Sequence, residues 1–129
     1  MKKLIILLMF GLMTNVTVAQ EILLSCKWQS GEIKGSRVIT KGERSTDDVV
    51  LGINIHQKKF TKQIYGGQLI FSDWSQNVII WNTESVPLKI NVDHRLDRIS
   101  GSLRINFNDL ENKTTIVSYY SCDKTQKKF

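Results

Sequence analysis

Alternation of apolar and polar residues most constrains how this chain can fold. Successive side chains of a strand point to opposite sides, so an apolar residue at every second position gives the strand one apolar face. Turn-forming residues separate the alternating runs, and no segment after residue 20 shows the apolar period of a helix. The pattern predicts an all-β domain of about eight antiparallel strands in a small barrel or sandwich. The clearest runs are Ile22 to Trp28, Leu51 to Ile55, Val86 to Val92 and Ile99 to Phe107.

Two further segments are apolar at nearly every position, namely Gly67 to Phe71 and Val78 to Trp81. Continuous apolar runs are typical of strands that are covered on both faces. We therefore expect both segments to be buried strands.

The chain has two cysteines, one near each end of the alternating region. Cys26 lies on the same predicted strand face as Leu24 and Trp28, and Cys122 shares a face with Tyr120. Both thiols should point into the core, where a Cys26–Cys122 disulfide would join the first strand to the last. Closing a loop of about a hundred residues should stabilise the fold by roughly 4 to 5 kcal/mol. We expect the bond to tether two strands that would otherwise be sheet edges.

The N-terminal residues have the three parts of an export signal. A pair of lysines is followed by the uninterrupted apolar run Leu4 to Met13, and small residues occupy Thr17 and Ala19. The apolar run is shorter than the ~20 residues that a bilayer-spanning helix needs. We therefore predict a cleavable signal peptide that is cut between Ala19 and Gln20.

This prediction divides the chain into a signal peptide, residues 1–19, and a single β domain, residues 20–129. The mature protein would be periplasmic or secreted. One alternative remains open, because Leu23 to Cys26 imitates the sequence at which bacterial lipoproteins are cut. In that case Cys26 would be lipidated and could not form the disulfide.

The charge of the chain restricts the class of partner. Lysines and arginines number 18 against 12 acidic residues, a net charge of +6, and the leader accounts for two of the lysines. The remaining excess is scattered, whereas a nucleic-acid-binding domain concentrates it in a patch. We expect an envelope protein or a glycan as partner, no nucleic acid, no cofactor and no transmembrane segment in the mature chain.

Several short motifs occur together along the chain. They are Leu24-Ser25-Cys26, Asp97-Arg98-Ile99-Ser100-Gly101, Tyr120-Ser121-Cys122 and the end Lys127-Lys128-Phe129. In this combination the chain resembles a set of small exported proteobacterial proteins with an Asp/Asn-Arg-x-Thr/Ser-Gly segment before a final cysteine strand. That set has no agreed activity, so the resemblance implies fold and export but no function.

The segment from Asp97 to Gly101 has the residues of a turn that enters a strand. We expect Asp97 to cap the turn, Arg98 to pair with a carboxylate across the sheet, and Gly101 to permit a close approach of neighbouring backbone.

No combination of residues indicates a catalytic or metal site. Hydrolysis needs a nucleophile, a base and an orienting group within reach of one another. Of the two histidines, His56 should be solvated, and His94 should end a strand beside Asp93, whose side chain points the opposite way. Two separated cysteines and two separated histidines do not provide the closely spaced ligands of a zinc site. We predict that the protein is not an enzyme and binds no metal.

Aromatic residues are the remaining candidates for a binding site. Trp74 and Trp81 flank the predicted strand Val78 to Ile80. Exposed aromatic rings stack on sugars and anchor protein interfaces. We predict a binding surface at these two tryptophans, with Trp74 the more exposed of them.

The sequence thus favours an exported binding or interaction module of the bacterial envelope. The first alternative is an inhibitor of a cell-wall lytic enzyme, since small disulfide-linked exported β-barrels resemble the lysozyme-inhibitor families. Against it, many lysozymes are basic and would repel a basic domain. A small envelope hydrolase is the third hypothesis.

Overall fold

The computed structural model describes residues 21–43 and 46–124. This part of the chain forms nine strands and no helix, so the predicted all-β class is confirmed. The strands are β1 (Glu21–Ile33), β2 (Arg37–Val38), β3 (Val49–Asn54), β4 (Lys59–Lys62), β5 (Gln68–Trp74), β6 (Val78–Ser85), β7 (Ile90–Asp97), β8 (Ser102–Asp109) and β9 (Thr114–Lys124).

All the strands belong to one antiparallel sheet. Their order is β4-β3-β1-β9-β8-β7-β6-β5, and the short β2 pairs with the end of β1. Strands β5 to β9 form a meander in which each strand pairs with the next along the chain. The long β1 links this meander to β3 because it pairs with β9 on one side and β3 on the other.

The sheet curls into a half-barrel because aromatic side chains bring its two edges together. The ring of Phe60 in β4 lies 5.0 Å from that of Trp74 in β5 and 4.6 Å from that of Trp81 in β6, measured between centroids. Strands β4 and β5 are the two ends of the sheet order, and within the described ranges no hydrogen-bonded ladder joins them. The curl therefore gives the sheet a concave inner face and a convex outer face.

The disulfide joins the first long strand to the last, as the sequence predicts. Cys26 and Cys122 stand directly opposite each other in the β1–β9 ladder, and their sulfurs are bonded on the inner side of the sheet. The expectation that the bond tethers would-be edges is wrong. Strands β1 and β9 lie side by side in the middle of the sheet, whereas the edges are β4 and β5.

The core fills the concave side of the half-barrel. Alternate residues of the long strands point into it, which is the arrangement that period-two alternation predicts. The buried hydrophobic side chains of the core include Leu24, Trp28, Leu51, Ile53, Ile79, Trp81, Val92, Leu96, Leu103, Ile105 and Tyr120.

The prediction that Gly67 to Phe71 would be a doubly covered strand is wrong. Leu69, Ile70 and Phe71 are 38%, 50% and 51% exposed, because β5 is an edge strand with a neighbour on one side only. The prediction that Val78 to Trp81 would be a buried strand holds in part. Ile79 is buried in β6, while Val78 and Ile80 are half-buried.

The predicted strand from Val86 is also wrong in its first half. Val86 and Leu88 are 72% and 66% exposed, and they lie in the turn that precedes β7. Pro87 and the left-handed Lys89, whose φ is 55°, close this turn, and the amide N–H of Lys89 donates to the carbonyl of Val86. Alternation alone does not distinguish a strand from a turn with two exposed apolar residues.

The predicted leader, its cleavage between Ala19 and Gln20, and the end Lys127-Lys128-Phe129 lie outside the described residues. The ranges 21–43 and 46–124 contain no helix that is long and apolar enough to cross a membrane.

Candidate functional site

A row of four residues crosses the outer face of the meander. In the strand registers Ile80 stands opposite Arg95, Arg95 opposite Arg104, and Arg104 opposite Tyr119. These positions alternate with buried residues on each strand, so their side chains emerge on the convex side. We call these four residues the arginine row.

The two arginines carry like charges at directly opposed positions. Side chains so placed have Cβ atoms about 5 Å apart, and two like charges there destabilise the pairing. In the described part of the chain the one ion pair is Arg37–Glu43, which lies elsewhere, so Arg95 and Arg104 have no carboxylate partner within 4.0 Å. The guanidinium groups therefore present unused hydrogen-bond donors to the solvent.

The nearest carboxylates of the outer face are already engaged. One oxygen of Asp93 accepts a hydrogen bond from the amide of Asn82 at 2.6 Å, and the other accepts from the amide of Asn108 at 3.4 Å. Asn82 also exchanges hydrogen bonds of 2.8 and 3.1 Å with Asn91, and Thr115 donates to the amide oxygen of Asn108 at 2.9 Å. We call these five residues the amide network, which runs beside the arginine row from β6 to β9.

Asp97, on the other side of the arginine row, caps the turn between β7 and β8 as predicted. One of its oxygens accepts the backbone N–H groups of Ile99 and Ser100 at 2.9 and 3.0 Å. The N–H of Ser100, then that of Ile99, and more weakly the charge of Arg95 lower the pKa of Asp97. The carboxylate thus serves the turn rather than neutralising the arginines.

Two other predictions about this turn have different outcomes. Gly101 does permit a close approach, because a Cβ on it would lie 2.6 Å from the carbonyl oxygen of Cys122, and its φ is +80°. Arg98 pairs with no carboxylate of the described residues. Its guanidinium donates to the backbone carbonyl of Ser75 and so ties the β7–β8 turn to the β5–β6 turn.

Shallow depressions flank the arginine row on both sides. One, of about 430 Å³, lies between Arg95, Arg104 and the exposed ring of Tyr119, and extends towards Asp97. The other, of about 250 Å³, lies between the same two arginines and the side of Asp93. Both depressions are lined by Arg95 and Arg104, so positive charge lies between them.

The two tryptophans predicted as a binding surface have different environments. The structure brings them together around Phe60, but it buries Trp81, which is 1% exposed. The expected surface position is therefore corrected for Trp81, a core residue of β6. Trp74 ends β5 and is half-buried, with its ring against the core.

The two histidines also differ. His56 is exposed, as expected. His94 does not end a strand: it lies within β7 and is 2% exposed. Its ring stacks on Trp81 at 4.5 Å between centroids, its Nδ1 donates to the Trp81 carbonyl, and burial lowers its pKa to about 4. His94 is thus a neutral core residue, with no access to a substrate in solution.

No metal centre is formed in the part of the chain that the structure covers, since no three His, Cys, Asp or Glu side chains are grouped to hold an ion. The arginine row and the amide network offer charged donors, amides and an aromatic ring. Groups of these kinds can donate to, accept from and stack against a ligand.

Neither Arg95 nor Arg104 is among the candidate site residues predicted from the sequence. A usable signal was present. A turn capped by Asp97 and ending at Gly101 places Leu96 opposite Leu103, and the same register then places Arg95 opposite Arg104. Extending the turn prediction by two residues would have revealed the pair.

Comparison with known proteins indicates no function, so a functional inference depends on the geometry alone. No family model matches the chain, and searches of curated proteins and of solved structures give no significant match. The resemblance to small exported proteobacterial proteins remains a prediction.

Proposed function

We propose that the protein is an exported binding module that recognises an acidic polysaccharide through the arginine row and the adjoining amide network. The observation that carries the proposal is the opposition of Arg95 and Arg104, which have no carboxylate partner within 4.0 Å among the described residues. Two like charges at opposed positions lower the stability of the fold. An anion bound between them would attract both arginines and offset their repulsion.

The chemistry of guanidinium favours an acidic ligand. Each arginine offers a planar set of donors that matches the two oxygens of a carboxylate, sulfate or phosphate. The carboxylates beside the row are occupied, Asp93 by amides and Asp97 by backbone N–H groups. Within the described residues neither arginine has a carboxylate within 4.0 Å, so an incoming acid displaces no ion pair from them.

The surroundings of the arginines favour a sugar chain over a compact anion. Tyr119, at one end of the row, is 43% exposed and presents a flat ring, and the amide network supplies donors and acceptors for hydroxyl groups. The two depressions lie on either side of the arginines and are open to the solvent. An extended polymer that carries acid groups at intervals fits this shape.

An extracytoplasmic location is part of the proposal. The leader-like residues 1–19 support export, and the Cys26–Cys122 disulfide is of the kind that persists in oxidising compartments. Acidic polysaccharides are abundant at bacterial surfaces, which is where a protein exported in this way would meet them.

The test is a binding measurement with charged and neutral sugar polymers. We expect dextran sulfate and polygalacturonate to bind the protein in isothermal titration calorimetry, and neutral dextran of equal length not to bind. The double variant R95Q/R104Q should lose at least about tenfold in affinity, since each charged contact contributes about 1.5 to 3 kcal/mol. Tyr119→Ala should weaken binding about threefold to tenfold through loss of stacking.

A matched control separates the site from general charge attraction. The double variant K58Q/K59Q removes the same charge from the turn before β4 and from the first residue of β4, a strand that pairs with none of the strands of the arginine row. It should keep its affinity for both polymers within about twofold. If the lysine and arginine variants lose affinity equally, binding is non-specific and the proposal is wrong.

Inhibition of a cell-wall lytic enzyme is the second hypothesis from the sequence, and nothing in the site favours it. A basic lysozyme would be repelled by the arginine row. A turbidity assay of lysozyme on bacterial cells, with and without the protein, tests it directly. Inhibition that persists in R95Q/R104Q would contradict our assignment of the site.

A further inference from the structure

Three turns at one end of the sheet form a continuous surface. The β1–β2, β6–β7 and β8–β9 turns lie at the same end because neighbouring strands are antiparallel. The backbone N–H of Leu110 donates to the carbonyl of Lys89 at 2.9 Å, which joins two of the turns. The N–H of Lys34 donates to the carbonyl of Thr115 at 2.9 Å, which joins the third turn to the start of β9. We call this surface the turn rim, and it comprises residues 34–36, 86–89 and 110–113.

The turn rim exposes apolar side chains. Val86 is 72% exposed, Leu88 66% and Leu110 53%. Single exposed apolar residues are ordinary, but adjoining ones mark sites of interaction with a protein or a membrane. Among the described residues, the turns at the other end of the sheet carry one large exposed apolar side chain, that of Ile99. Apolar exposure in turns is therefore concentrated on the rim.

Positive charge accompanies these apolar side chains. Each turn of the rim carries one exposed lysine, and the three are Lys34, Lys89 and Lys113. Within the described ranges no carboxylate lies within 4.0 Å of their ammonium groups. The turns contain one acidic residue, Glu111, and the adjacent Asp109 is engaged in accepting the backbone N–H groups of Glu111 and Asn112 at 3.1 and 3.2 Å. Positive charge therefore exceeds negative charge on the rim.

Part of the backbone at the rim is already satisfied. Pro87, which lies between Val86 and Leu88, has no N–H group. The N–H of Lys89 donates to the carbonyl of Val86 at 3.2 Å, and the carbonyl of Lys89 accepts from Leu110. An unpaired backbone group loses its hydration on entering an apolar environment, at a cost in free energy. The groups named here therefore do not oppose partial burial of the β6–β7 turn in lipid.

We propose that the turn rim docks on the surface of a bilayer that contains anionic phospholipids. The side chains of Val86, Leu88 and Leu110 enter the boundary between headgroups and acyl chains. The lysines beside them reach back to the lipid phosphates, since a lysine can lay its aliphatic stem along apolar groups and keep its charge at the headgroups. Apolar tips with lysines beside them match the layering of such a bilayer, in which phosphates lie above acyl chains.

The experiment is co-sedimentation with lipid vesicles. Residues 20–129 are used, because they contain every described strand and the disulfide, whereas the apolar run Leu4 to Met13 would bind lipid by itself. Vesicles of equimolar phosphatidylcholine and phosphatidylglycerol should bind the protein at least about tenfold more tightly than vesicles of phosphatidylcholine alone. Added salt should weaken the binding. If the anionic vesicles bind no protein, the proposal is wrong.

Two double variants locate the binding on the rim. L88S/L110S removes two exposed apolar side chains and should weaken binding to anionic vesicles at least about tenfold. K89Q/K113Q removes two charges and should weaken it by about the same factor. All four residues are exposed, so the variants should keep the denaturation midpoint of the unmodified protein. Unchanged vesicle binding in either folded variant would overturn the assignment to the rim.

Matched controls at the other end of the sheet test for general attraction. K58Q/K59Q removes the same charge, and Lys58 has the left-handed backbone of Lys89 and Lys113, with φ of 52° against 55° and 53°. Ile99→Ser removes an exposed apolar side chain from the β7–β8 turn. Both controls should keep vesicle binding within about twofold. A loss equal to that of the rim variants would mean that binding is non-specific and the proposal is wrong.

Two further measurements separate this proposal from the polysaccharide proposal and from self-association. Arg95 and Arg104 lie near the ends of β7 and β8 that are remote from the rim, so R95Q/R104Q should bind vesicles nearly as the unmodified protein does. L88S/L110S should in turn bind dextran sulfate unchanged. Loss of vesicle binding in R95Q/R104Q would place the lipid on the arginine row instead. A dimer in analytical ultracentrifugation that L88S/L110S dissociates would mean that the rim contacts a second copy of the chain, against the proposal.

Discussion

The two faces of the sheet formed by β6 to β9 carry different kinds of side chain, as two neighbouring residues of β7 show. His94 points inward, is 2% exposed and has its pKa lowered to about 4 by burial. Arg95 points outward, is exposed and stands opposite another arginine. The inner face thus holds neutral side chains that pack together, whereas the outer face holds charged and hydrogen-bonding side chains.

Each face also contains groups that packing and pairing do not account for. On the outer face Asp93 and Asp97 are hydrogen-bonded elsewhere, and among the described residues Arg95 and Arg104 have no carboxylate within 4.0 Å. On the inner face the hydroxyl of Thr83 and the indole nitrogens of Trp28, Trp74 and Trp81 are buried with no hydrogen-bond partner among the described residues. The arginines are exposed and the other groups are not, so the outer face is where a ligand can reach an unpaired group.

The largest expected effect tests whether stability resides on the inner face, where the disulfide lies. The double variant C26A/C122A should lower the free energy of unfolding by about 4 to 5 kcal/mol, because the bond closes a loop of 96 residues in the unfolded chain. Urea denaturation monitored by tryptophan fluorescence measures the change. R95Q/R104Q serves as the outer-face counterpart and should change stability by less than about 1 kcal/mol. A similar loss in both variants would remove the distinction between the faces.

The next prediction concerns how the free energy of unfolding depends on pH, to which the buried His94 contributes differently from the exposed charged groups. In the unfolded chain the pKa of His94 is near 6.5, and burial lowers it to about 4 in the fold. The unfolded chain therefore binds a proton first as the pH falls. The contribution of His94 is complete above pH 6.5, and up to about 3 kcal/mol is lost between pH 6.5 and pH 4.

His94→Phe isolates this loss because it keeps a ring on Trp81 and removes the titration. Denaturation midpoints should fall less steeply in the variant than in the unmodified protein over that pH range. Exposed carboxylates titrate alike in both proteins, so their contribution cancels from the comparison. Parallel pH profiles would show that His94 is accessible to protons in the folded state, against the burial that the structure gives.

The same contrast explains how much of the fold the sequence predicts. Period-two alternation correctly assigns the inner residues of β1, β3 and β8, and it places both cysteines inside. It fails where apolar residues are exposed, at Val86 in a turn and along β5 at the sheet edge. Alternation shows that one face of a strand is more apolar than the other. It does not show whether another part of the protein covers the apolar face.

The candidate sites depend on information that a single strand does not contain. The arginine pair arises from register between β7 and β8, and the curl of the sheet brings Phe60 against Trp81. The sequence predicts Trp81 near a surface because the pattern of one strand does not show that Phe60 of β4 packs on Trp81. Strand identity is local, but strand partners and sheet curvature depend on the whole chain.

A smaller effect tests the unpaired hydroxyl on the inner face. Thr83→Val should raise the free energy of unfolding of the ligand-free protein by about 1 kcal/mol, because the variant no longer buries an unpaired oxygen. Thermal or urea denaturation measures the gain. Thr115→Val, which removes a hydroxyl that donates to Asn108 on the outer face, should have the opposite sign. Destabilisation by Thr83→Val would mean that the hydroxyl has a structural partner.

The smallest effect on stability tests the outer face. Arg104→Thr replaces one of two opposed like charges with a residue of high strand propensity, so the free energy of unfolding should rise by about 0.5 kcal/mol. The same change should weaken binding of dextran sulfate about tenfold, since it removes a charge-assisted contact. Added salt should shrink the gain in stability by screening the repulsion of Arg95. A loss of stability at low salt would mean that Arg104 is a structural residue, and the argument for an anion site from the cost of the arginine pair would fail.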